Sequence, residues 1–171
     1  MSKILAFAEQ RAGQVGGAGR EAISTAAGLA GSLGGSAHAL VIGGEGLSAN
    51  AASLGAYGAD KVVVAEHPAL EEYNPEGYVP VVVGRIREGG YDTVVFAATT
   101  LGKDLAPRVA AALDVPLAAD VTSLRADEGK ISIVRPVYSG KAFAHLEVDS
   151  TPVVFSIRPN VFQASEVPGA G

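Results

Sequence analysis

The chain has 171 residues, enough for one domain with a full core. Hydrophobic residues make up 48% and charged residues 18%, a globular composition and not a disordered one. A net charge of −5 without a basic cluster excludes nucleic acid as a partner, and the absence of cysteine excludes disulfides, thiolate nucleophiles and thiolate metal sites.

The N-terminus "MSKILAFAEQ" reaches acidic residues too early for a secretory signal. No apolar run approaches the ~20 residues needed to span a bilayer, so membrane insertion is not expected. In chain order, four short apolar runs then punctuate the first hundred residues: "KILAFA" (Lys3–Ala8), "AHALVI" (Ala37–Ile42), "KVVVA" (Lys61–Ala65) and "DTVVFAA" (Asp92–Ala98). Rich in valine and isoleucine, they predict strands buried on both faces, as in a parallel sheet. Helical spacing fills the gaps. Ile23, Ala26, Ala27, Ala30 and Leu33 recur with helical period, and Gly34-Gly35 ends that helix. Ser48–Tyr57 is a shorter alanine-rich candidate, and Pro75–Glu88 carries Val79, Val82, Val83 and Ile86 on one stripe. Strand–helix–strand repetition predicts right-handed crossovers and a Rossmann-like, doubly wound, mainly parallel α/β sheet.

Between the first strand and the first helix, Gly17-x-Gly19-x-x-Ala22 formally matches the dinucleotide fingerprint. About eight residues separate it from Ala8, and Glu45 lies beyond the usual position of a ribose-binding acid, so a flexible strand-to-helix loop is the expectation. The three histidines sit on different elements without ligand spacing, so no metal site is predicted. His38 reads as a strand residue satisfied locally, His67 as a loop residue before Pro68, and His145 as part of a hairpin face. No Gly-x-Ser-x-Gly elbow is present and no serine has an evident base partner, so no catalytic residue is assigned. Glu71-Glu72 reads as a solvated face.

The stretch "TTLGKDLAPRVAAALDVPLAADV" (Thr99–Val121) follows the fourth strand at the carboxyl edge of the sheet, where ligands of such folds bind. Pro107 places the start of its helix near Asp104 as N-cap, with Leu105, Val109, Ala112 and Leu113 as the buried stripe and an Asp104–Arg108 pair. Thr99, Thr100, Gly102 and Lys103 have the residue types of a phosphate loop but match no phosphate-binding signature. Beyond Val121 the pattern changes to period two. "KISIVRPVY" (Lys130–Tyr138), a Ser139-Gly140 turn and "KAFAHLEV" (Lys141–Val148) predict an antiparallel hairpin, and "TPVVFSI" (Thr151–Ile157) one more strand. Around the turn lie Arg135, Tyr138 and Lys141, with Arg158 beyond the last strand. Arginine and tyrosine are the residue types of interface anchors, which makes these four the candidates for partner recognition.

The segments "ATTLGKDLAPRVAAALDVPLAADVTSL", "RPVYSGKA" and "SIRPNVFQA", in that order, resemble the N-terminal domain of electron transfer flavoprotein alpha subunits, from Met1 to about Ala164. The resemblance implies an α/β domain over 1–162. Residues 163–171, "QASEVPGAG", then read as the start of a linker to an absent FAD-binding domain, as in a truncated fragment. It implies a heterodimer with a beta subunit, one FAD held mainly by that absent domain, and AMP in the beta subunit and not here. It also implies electrons taken from acyl-CoA-type dehydrogenases, as in fatty acid beta-oxidation, and passed to a quinone oxidoreductase. The compartment would be the cytoplasm, or the mitochondrial matrix in a eukaryote. In that reading Thr99, Thr100, Gly102 and Lys103 are a vestigial nucleotide loop serving packing and the subunit interface. The same fold pattern also suits a stand-alone nucleotide-binding regulator of the universal-stress type, or a pure assembly module.

Overall fold

A computed structural model describes residues 1–127 and 129–167. The first strand, β1 (Lys3–Phe7), is followed by two two-residue strands, β2 (Gln10–Arg11) and β3 (Gln14–Val15). Ala12 and Gly13 between them both have positive φ, the geometry of a tight hairpin turn. The expected flexible loop is therefore an ordered hairpin that leads directly into α1 (Gly17–Leu33). Gly34, at φ 62°, closes α1 by donating its N–H to the Ala30 carbonyl. Then come β4 (Ser36–Gly43), α2 (Ser48–Ala51) running on as a 3-10 helix through Tyr57, and β5 (Lys61–Glu66). Helix α3 (Pro75–Gly89) starts at Asn74, whose side chain accepts the Gly77 N–H at 2.7 Å. The series continues with β6 (Thr93–Ala97), α4 (Thr100–Leu113), β7 (Leu117–Val121), β8 (Ser123–Asp127), β9 (Lys130–Val137), β10 (Ala142–Glu147) and β11 (Val153–Ile157).

Six strands form one sheet in the order β5-β4-β1-β6-β11-β7, and every pairing within it is parallel. Successive residues of each central strand point to opposite faces and both faces are covered, which explains the near-continuous apolar runs. On one face Ile4, Ala6, Val95 and Phe155 pack with Ile23, Ala26 and Ala30 of α1. On the other, Leu5, Phe7, Val94 and Phe96 meet Val82 and Ile86 of α3 and Leu105 and Val109 of α4. A second sheet, β10-β9-β8, is antiparallel and sends Ile131 and Ile133 into the α1-side core. The doubly wound α/β class is as the sequence predicts. The antiparallel part has three strands, because Ser123–Asp127 pairs with Lys130–Val134 of β9 in addition to the expected hairpin.

Three local expectations are corrected. Helix α4 begins at Thr100 and its N-cap is Thr99, whose hydroxyl accepts the Gly102 N–H at 3.0 Å; Asp104 lies inside the helix. Pro107 therefore also sits inside it. Its missing N–H frees the carbonyl of Lys103, and both residues are on the exposed side of the helix. The buried stripe is Leu105, Ala106, Val109 and Ala110, with Ala112 exposed. Finally, Val137 pairs with Ala142, so Tyr138–Lys141 is a four-residue turn and Tyr138 is outside the strand.

Candidate functional site

The carboxyl ends of the parallel strands carry two concave regions with opposite chemistry. The first lies where the connections diverge, between β1 and β6, the position at which doubly wound sheets bind ligands. Here the chain leaves β6 through Ala98 and turns into α4. Gly102 approaches the end of the strand so closely that a Cβ would sit 1.8 Å from the Ala97 carbonyl oxygen. The N-terminus of α4 is thus welded to β6, and the N–H of its third residue, Gly102, is taken by Thr99 Oγ1. The same hydroxyl donates to Glu9 Oε2, from the residue just past β1. A carboxylate of the chain itself occupies the flank of the helix N-terminus where an anion would sit.

Glu9 also meets α1. Its backbone carbonyl accepts the Gly16 N–H at 3.4 Å, and a Cβ on Gly19 would be 2.9 Å from that carbonyl and 2.7 Å from Val15. The fingerprint-like glycine therefore allows the hairpin to press on the helix, and its open side is filled by protein. Further out, Glu45, Glu71 and Glu72 line the crevice with Tyr73 and Thr100. Tyr73 donates to Asp104 Oδ2 at 2.6 Å, and Arg108 Nε donates to Asp104 Oδ1 at 3.0 Å. These two donors, Tyr73 first, hold the Asp104 carboxyl below its ordinary range, while burial and the bond to Asp104 push the Tyr73 phenol up. Asp104 is thus a tether for the crevice wall.

The second region lies between the β9–β10 turn and the ends of β7 and β11. The register between β7 and β11 breaks there, and Asp120 takes a left-handed conformation at φ 61° with its N–H on Ser156 Oγ. Arg158 grips Asp120 with two bonds, Nε to Oδ1 at 3.0 Å and NH2 to Oδ2 at 2.5 Å. Those bonds, chiefly, keep the Asp120 carboxyl below its usual range, with Lys103 and Arg135 adding to the effect. Arg135 points inward from β9, and its Nε is shielded from solvent without a hydrogen-bond partner among the described residues.

The sequence-level candidates are thus divided. Thr99, Thr100 and Gly102 lie at the first region, whereas Lys103 is close enough to the second to act on Asp120. Arg135, Tyr138 and Arg158 line one cleft, and Lys141 closes the adjoining turn through its N–H to the Tyr138 carbonyl at 3.2 Å. Sequence reasoning missed Glu9 and Asp120. Both precede or sit at bends, and no spacing in the sequence links Glu9 to Thr99 or Asp120 to Arg158. His38 bonds Tyr91 at 2.8 Å and His67 caps the Ala69 N–H, both local roles, while His145 is exposed. Among the described residues no group of acidic or histidine side chains could hold a metal ion.

Comparison with known proteins decides the family. The model for the electron transfer flavoprotein domain matches residues 4–171. The chain belongs to the electron transfer flavoprotein family. It is 38% identical over 165 residues to an electron transfer flavoprotein subunit alpha of Bacillus subtilis (strain 168), covering 96% of this chain and 50% of the relative. It is 32% identical to Protein FixB of Clostridium saccharobutylicum, over 98% of this chain and 50% of that protein. An acryloyl-CoA reductase electron transfer subunit beta of Anaerotignum propionicum is 30% identical, with 95% and 51% covered. The chain spans about half the length of these curated relatives. At the switch-point crevice Glu9 accepts from the Thr99 hydroxyl at the α4 cap, three more carboxylates and Arg11 line the walls, and Gly19 is packed against Val15.

Proposed function

We propose that residues 1–162 are the N-terminal domain of an electron transfer flavoprotein alpha-type subunit, and that residues 163–171 begin the connection to a flavin-binding domain. In this reading the domain docks a beta-type subunit and supports the flavin domain, and none of its own side chains carries redox chemistry. FAD is held mainly by the C-terminal half of the alpha subunit and AMP by the beta subunit. The electron donors are acyl-CoA-type dehydrogenases and the acceptor is a membrane quinone oxidoreductase, in the cytoplasm or, in a eukaryote, the mitochondrial matrix. No helix of the described residues is long and apolar enough to cross a membrane. That two relatives, at 38% and 30% identity, are named as electron transfer subunits, one of them of an acryloyl-CoA reductase, supports the reading.

The observation that carries it is the Glu9 carboxylate on Thr99 at the switch point. A carboxylate on the cap residue sets a negative charge beside the helix N-terminus and repels a phosphate there, which argues for a supporting role over nucleotide binding. The test pairs two measurements on the chain: size-exclusion chromatography with light scattering after co-expression with a beta-type subunit, and titration with AMP followed by amide chemical shifts. A one-to-one complex, with no saturable shift at residues 99–103, is the expected result. Saturable AMP shifts there without any complex would establish a stand-alone nucleotide-binding regulator instead.

A further inference from the structure

We infer that the cleft between the β9–β10 turn and the ends of β7 and β11 is a docking site for a carboxylate-bearing loop of the partner subunit, with Arg135 as the residue that recognises the carboxylate. The inference rests on the subunit reading above. Its first ground is charge. The chain is net negative, yet Arg135 and Arg158 line this cleft and Lys103 acts on it from α4, with Asp120 the acidic residue of its lining. The second ground is division of labour between the two cleft arginines. Arg158 is spent on Asp120 in a two-bond grip. Arg135 has no carboxylate within 4.0 Å among the described residues, and its Nε is withdrawn from water without a partner. The side chain is thus held at the cleft by burial of its stem while its guanidinium is unspent, and the planar oxygens of an incoming carboxylate suit that fork.

The third ground is the turn. Tyr138 and Ser139 have φ of 51° and 56°, a conformation non-glycine residues rarely adopt, and Tyr138 is 81% exposed. Two consecutive residues are held in that region to present an aromatic ring at the cleft mouth, beside Pro136 and Val137. An aromatic and an arginine at one cleft are the usual anchors of a protein interface. A peptide carboxylate fits better than a phosphate group. Asp120 at the floor opposes a second, doubly charged anion, and the apolar mouth suits the remainder of a polypeptide loop.

Two measurements test this. In the first, affinity for the beta-type subunit is measured by calorimetry for the wild-type chain, Arg135→Ala, Arg135→Lys and Tyr138→Ala, each checked for an unchanged melting temperature. Arg135→Ala is expected to weaken binding at least tenfold and to flatten its salt dependence, Arg135→Lys to recover only part, and Tyr138→Ala to weaken it severalfold. In the second, a hexaglutamate peptide is titrated while the arginine Nε–Hε signals are followed, and the Arg135 signal is expected to shift saturably. A complex whose affinity stays within twofold in all three variants overturns the docking site. So does a failure of both the subunit and the peptide to engage Arg135. Peptide binding without any subunit complex sinks the subunit reading and leaves the cleft standing. Displacement of the peptide by inorganic pyrophosphate at lower concentration overturns the carboxylate assignment in favour of a phosphate site.

Discussion

The two concavities at the carboxyl edge of the sheet share a location and differ in almost everything else. The crevice between β1 and β6 occupies the place where this architecture binds ligands, but its helix N-terminus is capped by Thr99 and flanked by Glu9. The cleft beyond β7 and β11 lies off that place, yet it holds an arginine whose Nε has no partner among the described residues and a strained aromatic turn. Position in the fold and readiness to bind have come apart. A crevice at a topological switch point becomes a ligand site only if its donors are left free, and here the chain supplies its own anion. Donors left unsatisfied elsewhere are the better guide.

The largest expected effect tests whether the crevice is closed by packing. Gly102→Ala places a methyl group 1.8 Å from a backbone carbonyl that cannot move without distorting β6. The substitution is expected to cost about 3 kcal/mol or more, at the upper end of overpacking penalties. Chemical denaturation measures it. A loss below about 1 kcal/mol would show that the start of α4 is loosely seated, and the contrast between a closed crevice and an open cleft would weaken accordingly.

A smaller effect separates the true cap from the expected one. Thr99→Ala removes the acceptor for the Gly102 N–H and the donor to Glu9, and is expected to lower stability by about 1 kcal/mol. Asp104→Ala, which only releases Tyr73 and an exposed partner, is expected to cost less. The reverse order in denaturation midpoints would return the cap to Asp104 and leave Thr99 and its neighbours free to act as a loop.

That misplaced cap shows what the sequence makes legible. Five strands of the large sheet were readable from apolar runs because burial on both faces leaves few polar positions, and α1 and α3 were readable from their stripes and closing or opening residues. Leu117–Val121 escaped because a proline precedes it and an alanine-aspartate pair dilutes it, and Ser123–Asp127 because only Leu124 and Ala126 face the core. The rule that proline belongs in a first turn pulled the α4 boundary toward Asp104, whereas Pro107 sits inside the helix on its exposed side. Arg135, Tyr138 and Arg158 could be singled out by residue type and adjacency to the turn. Glu9 and Asp120 could not, since their partners lie 90 and 38 residues away and only the completed sheet brings them together.

The smallest effect is a pH dependence, and it separates both rims from the opposite edge of the sheet. Asp104 and Asp120 have carboxyl groups held below their usual range, by Tyr73 and by Arg158 respectively. Their contribution is complete above the unfolded carboxylate value near 4 and is lost only as pH falls further. The two concavities therefore keep their contrast throughout the neutral and mildly acidic range. His38, near the start of β4, behaves differently. Burial first, then Lys61, lowers its pKa below the ordinary 6.5. His38 Nδ1 lies 2.8 Å from Tyr91 Oη, which also accepts from Arg85 at 3.1 Å, so protonating the imidazole adds a second cation beside Arg85. The unfolded chain takes up this proton more readily than the folded one, so stability is expected to fall as pH drops below about 6.5. Melting temperatures at pH 7.5 and 5.5 read the slope, and His38→Gln, which cannot titrate, is expected to flatten it. A slope unchanged in His38→Gln would assign the pH response to another group and leave the His38–Tyr91–Arg85 cluster as packing alone.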